Sequence, residues 1–165
     1  FGVTPVLYRL QNVYGPGQSL INPYTGIVSL FARLAKAGRS IPVYEDGRIV
    51  RDFVFIDDVA SAIVAGALHS PAAVDPYDIG LGERTTIMQI AQAIAERYGA
   101  PAPHVTGQFR DGDVRAAWAD TTRARQALSW KPLVGVTEGI NRLCDWIDAQ
   151  EETVLTAPTD TATEV

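Results

Sequence analysis

A chain of 165 residues, 47% hydrophobic and 20% charged, has room for one domain or parts of two and the balance of a globular protein. Its net charge of −5 comes without a lysine or arginine cluster, which argues against nucleic acid or an anionic membrane surface as partner, and no apolar run is long enough to span a bilayer. A single cysteine, Cys144, excludes an internal disulfide and fits a reducing compartment, so the expected location is cytoplasmic.

The apolar run Val6, Leu7, Tyr8 and Leu10 predicts a strand over 4–11 that carries Asn12 and Tyr14 to an immediate turn at Gly15-Pro16-Gly17. A strand this hydrophobic needs neighbours on both sides. It begins almost at once after Phe1, so the chain reads as though cut from something longer. Asn22-Pro23 suits a helix start, Ile27, Leu30, Phe31 and Leu34 keep helical spacing, and Gly38 can end that helix. "SIPVYEDGRIVRDFVFID" holds short β-prone runs around a turn at Glu45-Asp46-Gly47. Asp57 or Asp58 then caps a second helix with Val59, Ala62, Ile63, Ala67 and Leu68 on its inner stripe, ending near Ser70-Pro71.

"PYDIGLGE" is another short strand stopped by glycines. Thr85 or Thr86 caps a third helix that buries Ile87, Ile90, Ala91, Ile94 and Ala95 and stops at Gly99. Residues 100–121 are loop-rich, with a turn at Asp111-Gly112-Asp113 and the short run "RAAWAD"; two more helices are expected near 122–129 and 137–149. From about residue 150 periodicity is lost, which predicts a disordered tail over 150–165. There is no internal repeat. The element order is that of the back half of a doubly wound α/β protein with a small, mostly helical lobe.

Four places offer polar chemistry. Asn12, at a strand end, can donate to and accept from a phosphate or sugar oxygen, or it can stabilise the turn. Arg51 sits between apolar runs; its fork suits a phosphate, and an ion pair with Asp52, Asp57 or Asp58 explains it as well. In "RDGDVRAAWAD", Arg110 can clamp an anion and Asp113 can accept from vicinal hydroxyls, against the plainer reading of a charged surface turn. Pro42 and Tyr44 can flank a flat ring or simply belong to a strand. Cys144 falls on an apolar helical stripe and reads as core, His69 and His104 have no ligand-spaced companions, and Trp118, Trp130 and Trp146 read as packing residues. The chain contains neither a glycine-rich dinucleotide fingerprint nor a Tyr-x-x-x-Lys pair.

"LQNVYGPGQ", "NPYTGIVSLF", "IPVYEDGRIVRDFVFIDDVASAI", "YDIGLGE" and "RDGDVRAAWADTTRARQALSWKP" follow the order and spacing of the extended short-chain dehydrogenase/reductase family, the NAD-dependent nucleotide-sugar epimerases and dehydratases. The resemblance covers residues 1 to about 148 and is nearest to the 4-epimerases. It implies an α/β fold: the C-terminal part of a Rossmann-like doubly wound parallel sheet plus a small mostly helical substrate-binding lobe. Residues 1–81 would be a remnant of the NAD-binding domain interleaved with substrate-binding segments, and 82–149 the nucleotide-sugar lobe. It also implies that Asn12, Arg51 and Arg110 approach a substrate diphosphate, Asp113 the ribose, and Pro42 and Tyr44 the nucleobase, while Leu10 and Gln11 pass the nicotinamide of NAD. With two arginines converging on one diphosphate, the phosphate readings of Arg51 and Arg110 become the favoured ones.

The implied function is the substrate-binding half of a 4-epimerase acting on a dTDP- or UDP-sugar, inactive alone because the glycine fingerprint and the Tyr-x-x-x-Lys pair precede this segment in the family. A 4,6-dehydratase fragment, or a non-catalytic binding or complementation module, are the alternatives. Strands cut from their sheet leave apolar faces uncovered, so the chain is expected to be unstable alone, or to pair with a copy of itself or with the missing half.

Overall fold

Two consecutive amides set the course of the opening strand. In the computed structural model, which describes residues 5–20, 26–69 and 75–150, Gln11 N–H donates to Ile79 O and Asn12 N–H to Asp52 O, each at 2.9 Å. Successive amides of an extended chain point to opposite sides, so this stretch is flanked by a different strand on either edge. The expected single strand over 4–11 is therefore two pairing segments, β1 (Tyr8–Leu10) and β2 (Asn12–Tyr14). Then come α1 (Ile27–Lys36), β3 (Pro42–Val43), β4 (Val50–Arg51), β5 (Phe53–Phe55), α2 (Ile56–His69) and β6 (Tyr77–Ile79). They are followed by β7 (Thr85–Thr86), α3 (Ile87–Tyr98), β8 (His104–Val105), α4 (Thr122–Ala127) and α5 (Val136–Asp148).

β1 pairs parallel with β6, β2 parallel with β5, and β3 parallel with β8, whereas β4 and β7 pair antiparallel. The runs on either side of the Glu45-Asp46-Gly47 turn thus do not pair with each other. Glu45 (φ +52°) and Gly47 (φ +77°) turn the chain there by left-handed conformations. The 100–121 stretch is less irregular than its composition suggests, because β8 and a bridge between Val50 and Ala116 lace it to β3 and β4. This is a mixed α/β architecture built on parallel strands.

Two apolar clusters hold it together. The larger joins Tyr14, Phe31, Ile41, Phe53 and Phe55 to Ile87, Ile90, Ile94, Ile140, Leu143 and Ile147; the smaller joins Val54, Val59, Tyr77 and Ile79 to Ala124, Leu128 and Trp130. Both draw residues from either side of residue 81. Cys144 lies fully buried in the larger one, as its stripe predicts.

Two helices present faces other than those expected. In α1 the buried set is Val28, Ser29, Phe31, Ala32, Leu34 and Ala35, while Leu30 is exposed. Small Ala32 and Ala35 let α3 approach, and Ser29 is accommodated by donating to Gln18 Oε1 (2.5 Å). In α2, Val59, Ala62 and Gly66 face inward but Ile63, Ala67 and Leu68 do not; Leu68 is 71% exposed. A Cβ at Gly66 would run into the Tyr8 hydroxyl, which lies close enough to donate to Ile63 O (3.2 Å). Asp57 and Asp58 lie inside the first turn of α2 rather than capping it. The expected signals at Asn22-Pro23 and Ser70-Pro71, the start of the first strand and the tail beyond residue 150 lie outside the described residues.

α3 follows its sequence closely. Thr86 Oγ1 accepts from Gln89 N–H (3.1 Å), Gln89 Oε1 accepts from Thr86 N–H (2.8 Å), and Gly99 closes the helix in the left-handed region. Thr86→Ala removes one arm of this capping box and is expected to lower stability by about 1 kcal/mol, measured as a shift in urea midpoint at constant slope.

Candidate functional site

Strand ladders bring five of the eight singled-out residues into one neighbourhood. The segment 104–117 runs along β3 and β4: Thr106 N–H donates to Val43 O (2.9 Å), Glu45 N–H to Gln108 O (2.7 Å), Val50 N–H to Arg115 O and Ala117 N–H to Val50 O (both 3.0 Å). The turn at 110–113 is thereby laid over Tyr44 and Arg51. Arg51 Nη2 pairs with Asp113 Oδ1 at 2.6 Å, and Arg51 Nη1 donates to Val114 O at 2.5 Å and to Val50 O at 2.9 Å. So Arg51 does form an ion pair, but with Asp113 rather than with Asp52, Asp57 or Asp58. The Arg110 guanidinium lies 5.8 Å from the centroid of the half-open Tyr44 ring, within cation–π range. Pro42 begins the strand that carries Tyr44 forward.

Asn12 is exposed across the ladder from Phe53, two residues beyond Arg51 on the neighbouring strand. Leu10 and Gln11 lie on the other side, beside β6. Leu10 is 43% exposed, and Gln11 packs where a Cβ at Gly80 would come within 3.0 Å of its Cγ. Beyond the end of β2, a shallow depression of about 280 Å³ is lined by Tyr14, Gly15, Pro16, Gly17, Gln18 and Ile56.

The sequence reading missed the groups that brace this surface. Asp52 is completely buried; its carboxylate accepts from Leu81 N–H (2.8 Å), Gly82 N–H (3.0 Å) and Ala119 N–H (3.2 Å). Burial raises its pKa, against the lowering pull of those three amides and the Arg125 charge. Asp58 is likewise buried and accepts from Leu133 and Val134 N–H, while the Trp130 indole donates to Asp58 O and Ser61 Oγ. Arg115 forks onto Glu45 Oε2 (2.5 Å) and Asp46 Oδ2 (2.6 Å), and holds the Asp46 pKa down to about 2. The one available sign was in "VRDFVF", where Asp52 falls among residues destined for burial. The packing role expected for Trp118 does not hold: it is 43% exposed, with the Arg84 guanidinium 3.7 Å above its ring. His104 meets Ser40 Oγ (2.8 Å), and among the described residues no cluster of metal-ligating side chains occurs. No helix among them is long and apolar enough to cross a membrane.

Parallel strands with polar side chains and laced loops gathered beside them define a Rossmann-type α/β protein. A model of the NAD-dependent epimerase/dehydratase family matches residues 1–82. The dTDP-L-rhamnose 4-epimerase of Burkholderia thailandensis is 56% identical over 149 residues, covering 90% of this chain and 41% of that protein. The UDP-glucose 4-epimerase of Thermotoga maritima, solved with UDP-glucose, superposes with a TM-score of 0.78 at 32% identity, over 87% of this chain and 45% of that one. The Thermus thermophilus UDP-glucose 4-epimerase, solved with NAD, gives 0.77 at 32% identity, over 90% and 48%. The chain belongs to the NAD-dependent epimerase/dehydratase family, and it spans less than half the length of these relatives.

Proposed function

We propose that the chain is the substrate-binding half of an NAD-dependent nucleotide-sugar 4-epimerase. Residues 1–81 would supply the sheet edge with its interleaved binding segments, and 82–149 the nucleotide-sugar lobe. The observation that carries this reading is the meeting of Arg51 with Asp113 and of Arg110 with Tyr44 on one laced surface. Two guanidinium groups near an aromatic ring and a carboxylate match the parts of a nucleoside diphosphate: Arg51 and Arg110 take the phosphates, Tyr44 with Pro42 the base, and Asp113 the ribose hydroxyls. Asn12, on the neighbouring strand end, adds a donor and an acceptor toward the diphosphate. Similarity to enzymes named for dTDP-L-rhamnose and UDP-glucose supports a dTDP- or UDP-sugar as ligand.

For NAD, the exposed apolar side chain of Leu10, next to Gln11, suits the face of a nicotinamide ring; the main dinucleotide motif lies outside this sequence. Bound NAD would supply the acceptor and donor for the hydride removed from sugar C4 and returned to its other face. This chain's share is to hold the nucleotide while the 4-keto sugar turns. The exposed apolar residues Leu7, Leu10, Ile63, Val64 and Leu68 suit a covering by the N-terminal half, or by a second copy when that half is absent. A reducing, cytoplasmic setting fits the unpaired thiol of Cys144.

Calorimetric titration of the 165-residue chain with dTDP and UDP tests the reading. The expected result is saturable binding that weakens as salt is raised. Absence of binding up to about 1 mM of either nucleotide overturns it.

A further inference from the structure

The turn 109–114 carries Arg110 and Asp113 and is gripped by two arginines. Arg51 holds it through Asp113 and Val114 O; Arg115, at its foot, reaches back to Glu45 and Asp46, the two residues after Tyr44. Glu45 stands at φ +52°, a conformation that non-glycine residues adopt only when their surroundings hold them there. Arg115 is the side chain that ties this strained position to the turn. The two grips differ in one respect. If Arg51 binds a diphosphate, the ligand competes with Asp113 for its guanidinium. Arg115 has both arms of its fork on the Glu45 and Asp46 carboxylates, so it does not enter that competition.

We infer that Arg115 is a positioning residue: clamped to Glu45 and Asp46, it keeps Arg110 and Asp113 registered against Tyr44 after Arg51 has exchanged Asp113 for ligand. It does so without touching the nucleotide. The inference rests on the nucleoside-diphosphate reading above and adds to it a residue outside the proposed ligand set. Exposed ion pairs contribute little to global stability, so the clamp should act on local order rather than on the melt.

The test titrates wild type, Arg115→Ala and Arg115→Lys chains with dTDP. It also follows hydrogen exchange of the Glu45 and Val50 amides without ligand, since both bond to the feet of the turn. Arg115→Ala should weaken dTDP binding about 3- to 10-fold, because the turn must then be ordered on binding. Exchange at the two amides should quicken while the Tm stays within about 2 °C. Arg115→Lys should recover part of the affinity, since an ammonium can hold one carboxylate well but cannot fork onto both. If wild type binds and Arg115→Ala binds as tightly, the positioning role is overturned alone. Equal losses in both variants with a lowered Tm overturn it too, in favour of a purely structural pair. If wild type does not bind dTDP, the nucleotide reading fails and takes this role with it.

Discussion

Asp52→Ala should be the most destabilising single change on this surface, costing about 3–5 kcal/mol, read as a fall in urea midpoint. The reason is what the carboxylate leaves behind. Leu81, Gly82 and Ala119 donate to it from two separate loops, and Asp52 itself has no exposed surface. Without it, the buried N–H groups of Leu81 and Ala119 lose their acceptor, and the part-buried N–H of Gly82 loses its own. Asp52→Asn should cost less but not little, because an amide nitrogen would face at least one of those donors. Glycine 80 belongs to the same arrangement, since a Cβ there would press on the Asp52 carboxylate.

The pH dependence has a definite sign. The folded pKa of Asp52 is raised by burial, so its stabilising contribution is complete below the unfolded carboxylate pKa and declines as pH rises through the folded value. Asp52→Asn has no proton to lose. The stability gap between wild type and Asp52→Asn should therefore be wider near pH 4 than at pH 7, with the other carboxylates cancelling in the comparison. An equal gap at both values, or a wider one at pH 7, would show that the amides and Arg125 outweigh burial.

The second large effect concerns Arg51. If it grips the diphosphate with both arms, Arg51→Ala should weaken dTDP binding by the 1.5–3 kcal/mol typical of a charge-assisted pair, roughly 10- to 150-fold. Arg51→Lys keeps the charge but not the fork and should fall between. Asp113→Asn supplies the sharper check. In the ligand-free protein Asp113 occupies one arm of Arg51, so neutralising it should strengthen binding of inorganic phosphate. The same change should weaken dTDP, because the ribose hydroxyls would lose one of two acceptor oxygens and the charge behind the other. Opposite signs for the two ligands would place both residues in the nucleotide site. The same sign for both would return the Arg51–Asp113 pair to a structural role.

Local signals were legible in the sequence and distant ones were not. α3 could be read almost to the residue because its cap, its apolar stripe and its terminal glycine lie within one short stretch. β7 and β8 could not. Each is two residues long and takes its identity from a partner elsewhere, β4 or β3. The inward face of α2 was misjudged because Gly66, with no side chain to mark a stripe, is what sits against Tyr8. At the site, Arg51 stood out as a charge between apolar runs, and Arg110 and Asp113 as charged groups at a turn. Asp52 and Asp58 did not, since their partners are backbone amides that leave no trace in side-chain chemistry.

The ladders also determine when the chain can assemble during its own synthesis. Among the described residues none of the four ladders joins neighbouring runs: Arg9 on β1 sits beside Asp78 on β6, 69 residues later, and β3 pairs with β8 only after α2 and α3 have intervened. In a polypeptide emerging amino end first, β1, β2 and β3 therefore stay unpaired on these edges until their later parallel partners leave the ribosome. Loop closure over such separations is slow compared with forming a hairpin. Of the paired runs, β1 waits through the longest stretch of later chain before its partner is made, and it is the run on which a ribosome-bound chaperone would have the most time to act.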